Sequence, residues 1–187
     1  MQKLIVFNHV SLDGYFVDQN GSMNWAKSAG DDPEYNAFVA ENASGGGWLV
    51  FGRVTYELMI KYWPTPMAKQ HAPEVAAGMN NAPKFVFSRT LDHSSWNNTT
   101  MVKGDLGAEV RKIKEMPGNG IAILGSGTII SQLAPTGLID EYQVVVNPII
   151  LGAGRTMFET VKEQLNLKLA KTRHFKSGKV YVCYEPV

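Results

Sequence analysis

Three short turns in the sequence combine glycine, arginine and hydroxyl residues in a pattern that suits the binding of phosphate groups. They are Gly52–Thr55, which includes Arg53; Ser88–Thr90, which includes Arg89; and Gly125–Thr128, in which one residue separates two glycines. The planar guanidinium of arginine matches phosphate oxygens, and glycine lets the backbone approach another group closely. Taken singly, each turn is also typical of an ordinary connection. Together they favour a site for one diphosphate and one ribose phosphate.

Each of these turns directly follows a short apolar run that predicts a buried strand. The runs cover residues 48–51, 84–87 and 121–124, and helical spacing follows the first and the third. A helix N-terminus adds unpaired N–H groups and the positive end of the helix dipole. Ligands of open α/β sheets bind outside the carboxyl ends of the strands. If the three strands are parallel, we expect all three turns to meet at one edge of the sheet.

The rest of the chain supplies the elements that such a sheet requires. Strand-like and helix-like segments alternate from residue 4 to residue 133, and residues 63–81 predict a loop with a broken helix. Residues 138–146 predict a further strand, and residues 165–184 predict a hairpin. This order predicts an α/β fold, with a mixed, mainly parallel sheet, antiparallel C-terminal strands and helices on both faces. We expect one domain over residues 1–187.

Composition excludes several classes of protein. The 187 residues are 44% hydrophobic and 19% charged, which is an ordinary globular composition. Because the net charge is only +1, the sequence gives no sign of a basic surface that would bind nucleic acid. No apolar run approaches the roughly 20 residues that span a bilayer, and the first residues read as a strand, so we expect a cytoplasmic protein with no membrane partner. The four histidines have no ligand spacing, and Cys183 is the only cysteine. We therefore expect neither a metal site nor an internal disulfide.

The turn at Gly125–Thr128, called the glycine turn below, matches neither of two common nucleotide-binding motifs. In the dinucleotide fingerprint a third glycine would stand where the sequence has Ile130, and no acidic residue follows at the usual distance. The turn also lacks the Gly-Lys-Ser/Thr of a P-loop, which disfavours ATP hydrolysis. Any nucleotide site here belongs to another class of fold.

The sequence resembles the dihydrofolate reductase superfamily. It is most similar to the reductase domain at the C-terminus of the bifunctional riboflavin-biosynthesis deaminase-reductase, and to the free-standing bacterial relatives of that domain. The segments that carry the resemblance are residues 11–15, 51–57, 87–90, 125–128 and 147–154, with Phe158. They run in family order over nearly the whole chain. The resemblance implies a three-layer α-β-α sandwich and NADPH as the hydride donor, and relatives of this type are often homodimers.

The resemblance also implies which residues bind the cofactor. Arg89 matches a position near the adenosine ribose, where an arginine accommodates a 2′-phosphate and favours NADPH over NADH. The glycine turn matches the segment that holds the diphosphate. The implied cofactor-binding residues are Gly52, Arg53, Thr55, Ser88, Arg89, Gly125, Ser126, Gly127 and Thr128.

The substrate side carries weaker signals. In dihydrofolate reductases an acidic residue on the first helix binds the pterin and helps to protonate it. Asp31, Asp32 and Glu34 lie in that region, and Asp13 belongs to the segment 11–15. The alternatives are charge at a helix N-terminus for the first three and simple turn formation for Asp13.

Two tryptophans and the substrate class complete the expectations from the resemblance. Trp25 and Trp63 flank loops that would overhang the substrate, and they are candidates for its pocket or for the core. The implied substrate is a flat heterocycle: a pterin, or a riboflavin-pathway pyrimidine like 5-amino-6-(5-phosphoribosylamino)uracil. The alternatives are a non-catalytic NADP(H)-binding module and a structural dimer with the same fold.

Overall fold

The structure, a computed structural model, describes residues 1–26 and 32–187 of the chain. Asp31, one of the acidic candidates, lies outside the described residues. In these ranges the strands are β1 (Leu4–Ser11), β2 (Tyr15–Asp18), β3 (Trp48–Gly52), β4 (Lys84–Phe87), β5 (Thr99–Val102), β6 (Ile121–Leu124), β7 (Glu141–Asn147), β8 (Gly154–Thr156), β9 (Leu167–His174) and β10 (Val180–Pro186). The α-helices are α1 (Pro33–Ser44), α2 (Arg53–Ile60), α3 (Pro66–His71), α4 (Pro73–Asn81), α5 (Leu106–Glu115) and α6 (Gly127–Leu133).

Eight of these strands form one sheet in the order β5-β4-β3-β6-β1-β7-β10-β9. The first six are parallel, whereas β10 runs antiparallel to β7 and β9 runs antiparallel to β10. The expected mainly parallel sheet with antiparallel C-terminal strands is therefore confirmed. Two details were not expected: β5 extends the edge of the sheet, and β2 pairs with β8 in a separate two-stranded ribbon.

Helices cover both faces of the sheet, which confirms the three-layer sandwich. Alternation along β1 places Leu4 and Val6 on one face, where they pack in one buried cluster with Val110 of α5 and Ile130 of α6. On the opposite face, strand residues of β3 and β4 pack with α2 and α4, and β7 and β10 pack with α1.

The starts of the helices differ in a way that bears on function. Asp32 caps α1 by accepting a hydrogen bond from the N–H of Tyr35 at 3.1 Å, and Asp105 caps α5 in the same way. In contrast, α2 begins directly after β3, α6 follows β6 after Gly125 and Ser126, and neither helix has a side-chain cap. The region predicted as loop and broken helix contains α3 and α4, each beginning at a proline. No helix in the described ranges is long and apolar enough to cross a membrane.

Candidate active site

Hydroxyl groups join the first and third of the predicted phosphate turns. Because β3 and β6 are neighbours in the sheet, Thr55 and Ser126 meet at the starts of α2 and α6. The Ser126 N–H and hydroxyl each lie 3.0 Å from Thr55 Oγ1, and Ser126 Oγ accepts a 2.6 Å hydrogen bond from the N–H of Gly52. Thr55 and Ser126 therefore hold the two turns together, in addition to any contact with a ligand.

Asn8 on β1 fixes the glycine turn from the other side. Its Oδ1 accepts a hydrogen bond from the Gly125 N–H at 2.7 Å, and its Nδ2 donates to the Gly125 carbonyl at 3.4 Å. Gly125 has a φ of +59°, and a Cβ there would lie 2.8 Å from Thr55 Cγ2, so the turn requires glycine. Sequence reasoning missed Asn8. The sequence carries a signal for it in the alternation of β1, because Asn8 is a polar side chain on the same buried face as Leu4 and Val6.

The three predicted turns meet in one polar cleft of about 520 Å³ at the carboxyl ends of β3, β4, β5 and β6. Lys103, Asp105 and Gln132 complete its walls. The predicted cofactor residues that line the cleft are Gly52, Arg53, Thr55, Ser88, Arg89, Ser126 and Thr128. The other two, Gly125 and Gly127, lie within the same turn but do not line the cleft.

Cationic side chains and uncapped helix N-termini give the polar cleft the chemistry of an anion site. Arg53 is paired with Glu57 at 2.9 Å, and Lys103 is paired with Asp92. Among the described residues Arg89 has no ion pair, which leaves its guanidinium available to an incoming anion. Two uncapped helix N-termini, those of α2 and α6, open onto the same space. The residues present therefore fit a nucleotide with several phosphates.

An apolar pocket of about 270 Å³ lies next to the polar cleft, on the sheet face that α1 and α4 cover. Gly125 lines the apolar pocket and Ser126 lines the polar cleft, so one peptide unit borders both. Of the two tryptophans predicted for the substrate pocket, Trp63 is part of this pocket wall. Trp25 does not line the pocket; its indole N–H donates to the Ser22 carbonyl at 3.1 Å.

His9 is the one titratable side chain among the described residues that line the apolar pocket. Its Nε2 lies 3.0 Å from the hydroxyl of Tyr35, and its Nδ1 lies 3.3 Å from Asn147 Nδ2. The Asn147 Oδ1 accepts a hydrogen bond from the buried Lys179 ammonium at 2.8 Å. Burial and the nearby charge of Lys179 lower the pKa of His9 to about 4, so the ring is neutral at pH 7.

The three described acidic candidates have partners outside the apolar pocket. Asp13 accepts hydrogen bonds from the N–H groups of Leu151 and Gly152 at 3.1 and 2.7 Å. Hydrogen bonds from Ser11 and from these N–H groups hold its pKa below the usual value. The Asp13 carboxylate thereby joins the two family segments 11–15 and 147–154.

The other two carboxylates lie at the start of α1. Besides capping α1, Asp32 accepts the N–H of Ser177 at 2.8 Å, and hydrogen bonds from Ser177 and Tyr35 lower its pKa. Glu34 pairs with Arg173 at 2.8 Å on the surface. The structure brings neither to the pocket wall, and a catalytic role for Asp13, Asp32 or Glu34 stays a prediction.

A mainly parallel sheet with a polar cleft at its carboxyl edge and an adjacent apolar pocket defines an α/β protein of the class whose ligands bind outside the strand ends. The RibD C-terminal domain family matches residues 2–181, so the chain belongs to that family. This confirms the resemblance drawn from the sequence motifs. The uncharacterized protein YyaP of Bacillus subtilis (strain 168) is 29% identical over 185 residues, which are 98% of this chain and 94% of YyaP.

Solved structures show the same fold. A protein from Shewanella sp. PV-4, named provisionally as a riboflavin biosynthesis protein, has a TM-score of 0.74 at 23% identity, over 100% of this chain and 99% of that protein. The diaminohydroxyphosphoribosylaminopyrimidine deaminase/5-amino-6-(5-phosphoribosylamino)uracil reductase of Thermotoga maritima has a TM-score of 0.71 at 15% identity. All of this chain aligns with 57% of the Thermotoga protein.

Proposed function

We propose that this protein is an NADPH-dependent reductase that reduces a flat heterocyclic substrate. The observation that carries the proposal is the shared border of two unlike sites: the polar cleft and the apolar pocket meet at the Gly125–Ser126 peptide. A dinucleotide with its phosphates in the cleft would place its other end at this border, next to a ring in the pocket. Membership of the RibD C-terminal domain family supports the same reaction class.

The residues of the polar cleft would hold the cofactor by its charges. The starts of α2 and α6, with Arg53, would bind the diphosphate. Arg89, which has no ion pair among the described residues, would bind the 2′-phosphate that distinguishes NADPH from NADH. NADPH, when bound, supplies the hydride. The chain supplies orientation and a dry pocket for the acceptor.

The proton for the reduced substrate would come from water. His9 is neutral at pH 7, and both of its ring nitrogens are occupied by Tyr35 and Asn147. It therefore positions the wall of the apolar pocket and does not serve as an acid. The hydrogen-bonded carboxylates of Asp13 and Asp32 have lowered pKa values, which makes both poor proton donors at neutral pH.

Titration of the protein with NADPH and with NADH, followed by tryptophan fluorescence, tests the proposal. We expect micromolar binding that prefers NADPH by at least tenfold, about 1.4 kcal/mol. NADPH oxidation should then follow with a member of a panel of pterins and of pyrimidines related to 5-amino-6-(5-phosphoribosylamino)uracil. No binding of either nucleotide would refute the proposal, and equal binding would remove the 2′-phosphate role of Arg89.

A second function is favoured by one observation: no carboxylate lines the apolar pocket in the described part of the chain. A non-catalytic NADP(H)-binding module would need the polar cleft but no proton donor. Tight NADPH binding without hydride transfer to any acceptor in the panel would favour this function over the reductase.

A further inference from the structure

The polar groups of the apolar pocket are few and mostly committed to other protein atoms. In the described ranges its polar side chains are those of Asn8, His9, Asn42 and Gln143, and no Asp, Glu, Lys or Arg lines it. Asn8 uses both ends of its amide on Gly125, and His9 uses both ring nitrogens on Tyr35 and Asn147. Gln143 Nε2 donates to Glu141 at 2.8 Å. The Asn42 amide, the Gln143 Oε1 and the Trp48 indole N–H remain for a ligand.

The rest of the pocket wall is apolar and aromatic. Phe7, Trp48 and Trp63 present rings, and Val39, Met59 and Met79 present aliphatic surface. Such a wall binds a flat ring by burying apolar area and by ring contacts. It also penalises a charged group, because a buried charge without a partner loses its hydration and gains no hydrogen bond in return.

Among the described residues no cation lines the apolar pocket, and Lys179, whose charge acts on His9 of the pocket wall, is not part of that wall and donates to Asn147 Oδ1. Arg53, Arg89 and Lys103 line the polar cleft, where the proposed cofactor would occupy them. Asp32, the described carboxylate at the start of α1, is engaged by the N–H groups of Tyr35 and Ser177 and is not part of the pocket wall. The pocket therefore offers neither a cation for a phosphate nor an anion for a protonated pterin within the described residues.

We propose that the apolar pocket takes an uncharged, flat compound of one or two fused rings, and that it selects against phosphorylated and carboxylated rings. This inference rests on the proposed function only in assigning that ring as the hydride acceptor. Recognition comes from shape and from one or two hydrogen bonds to Asn42 and Gln143. The phosphoribosyl pyrimidine named for the Thermotoga enzyme is then a poor ligand of this pocket.

Isothermal titration calorimetry with a matched pair of rings tests the inference on the full-length protein. The probes are quinoxaline, which is flat, uncharged and contains electron-poor C=N bonds, and quinoxaline-2-carboxylate, which adds one negative charge. We expect quinoxaline to bind at least tenfold more tightly, with or without saturating NADP⁺. Equal or tighter binding of the carboxylate would overturn the inference, as would failure of quinoxaline to bind.

Two variants of α1 locate the binding. Ala43→Leu adds volume at the pocket wall, whereas Ala37→Leu adds it at an exposed position of the same helix. We expect Ala43→Leu to weaken quinoxaline binding at least tenfold and Ala37→Leu to leave it unchanged. Equal effects, or no effect of Ala43→Leu, would show that the ring binds elsewhere and would overturn the assignment.

Separate nucleotide titrations keep this inference distinguishable from the proposed function. If NADPH does not bind but quinoxaline binding still responds to Ala43→Leu, the reductase proposal fails and the pocket assignment stands. If NADPH binds and the carboxylate probe is preferred, the reductase proposal stands and the substrate class is wrong.

Discussion

The Asn8 side chain holds the backbone of Gly125 at two points, with its Oδ1 2.7 Å from the N–H and its Nδ2 3.4 Å from the carbonyl. The two residues stand 117 positions apart in sequence, but Asn8 lies on β1 and Gly125 directly follows the neighbouring parallel strand β6. Asn8 is 3% exposed, so its hydrogen bonds form out of reach of solvent. This contact sets the conformation of the peptide that borders both the polar cleft and the apolar pocket.

Asn8→Ala should therefore lower both stability and nucleotide affinity. The substitution leaves the buried Gly125 N–H without its partner, which costs about 1–3 kcal/mol. Urea denaturation should show this loss, and the NADPH titration should show weaker binding because the glycine turn is released. Asn36→Ala, at an exposed position of α1, is the control and should change stability by less than about 0.5 kcal/mol. A stable Asn8→Ala protein with unchanged NADPH affinity would contradict the positioning role.

Arg89→Ala should reduce the preference for NADPH over NADH. Loss of a charge-assisted contact to the 2′-phosphate is worth about 1.5–3 kcal/mol, so NADPH affinity should fall at least tenfold while NADH affinity stays the same. The measurement is a pair of fluorescence titrations on each protein. Arg111→Ala, on the exposed side of α5 and outside the polar cleft, should leave both affinities unchanged. A parallel loss of NADH affinity would show that Arg89 contacts another part of the nucleotide.

Local patterns in the sequence predicted the features that place the polar cleft. The apolar runs of β3, β4 and β6 and the turns that follow them are each contiguous segments, and parallel strands bring such turns to one edge of the sheet. Ser88, Arg89 and Thr128 consequently line the polar cleft as expected. The N-cap of α1 at Asp32 follows from its place directly before Pro33.

The features that sequence reasoning missed depend on contacts between distant segments. The partner of Asn8 is known only once β1 is placed beside β6, and the mutual contact of Thr55 and Ser126 only once β3 is placed beside β6. The ribbon of β2 and β8 joins segments more than 130 residues apart, and short strands of this kind carry little local signal. The same limit applied to the acidic candidates, because the partners of Asp13 and Asp32 are backbone groups of late segments.

His9 should make the folded protein less stable as the pH falls from about 6.5 to 4. Its pKa is lowered to about 4 in the fold, so in this range the unfolded chain binds a proton that the folded protein does not. The resulting loss in the free energy of unfolding approaches about 3 kcal/mol at pH 4, and it is absent above the ordinary pKa of histidine. Urea denaturation at several pH values should show that the free energy of unfolding falls less with decreasing pH for His9→Gln than for the wild type.

The control for His9 is an exposed histidine. His71→Gln, at the end of α3, should leave the pH dependence of the wild type in place. Because carboxylates also titrate below pH 5, the relevant quantity is the difference between variant and wild type at each pH. Identical curves for His9→Gln and the wild type would show that His9 titrates normally in the folded protein.

Gly125→Ala should be more harmful than the same substitution at another glycine with positive φ. Gly125 and Gly137 have φ values of +59° and +68°, and both would strain an alanine. A Cβ at Gly137 meets nothing within 4 Å, whereas at Gly125 it meets Thr55 Cγ2 at 2.8 Å. Gly137→Ala should cost about 1–2 kcal/mol of stability without affecting nucleotide binding, and Gly125→Ala should cost more and weaken NADPH binding.

A double-mutant cycle with Thr55→Ser separates the clash from the backbone strain. Serine keeps the hydroxyl that binds the Ser126 N–H but removes the Cγ2 that a Cβ at position 125 would strike. Gly125→Ala should therefore cost less in the Thr55→Ser background than in the wild type, which gives a coupling energy of about 0.5–3 kcal/mol. An additive pair would mean that the approach of Thr55 Cγ2 contributes nothing, and that the loss comes from strain at φ +59° and from the Thr55 Oγ1, which a Cβ at position 125 would meet at 3.0 Å.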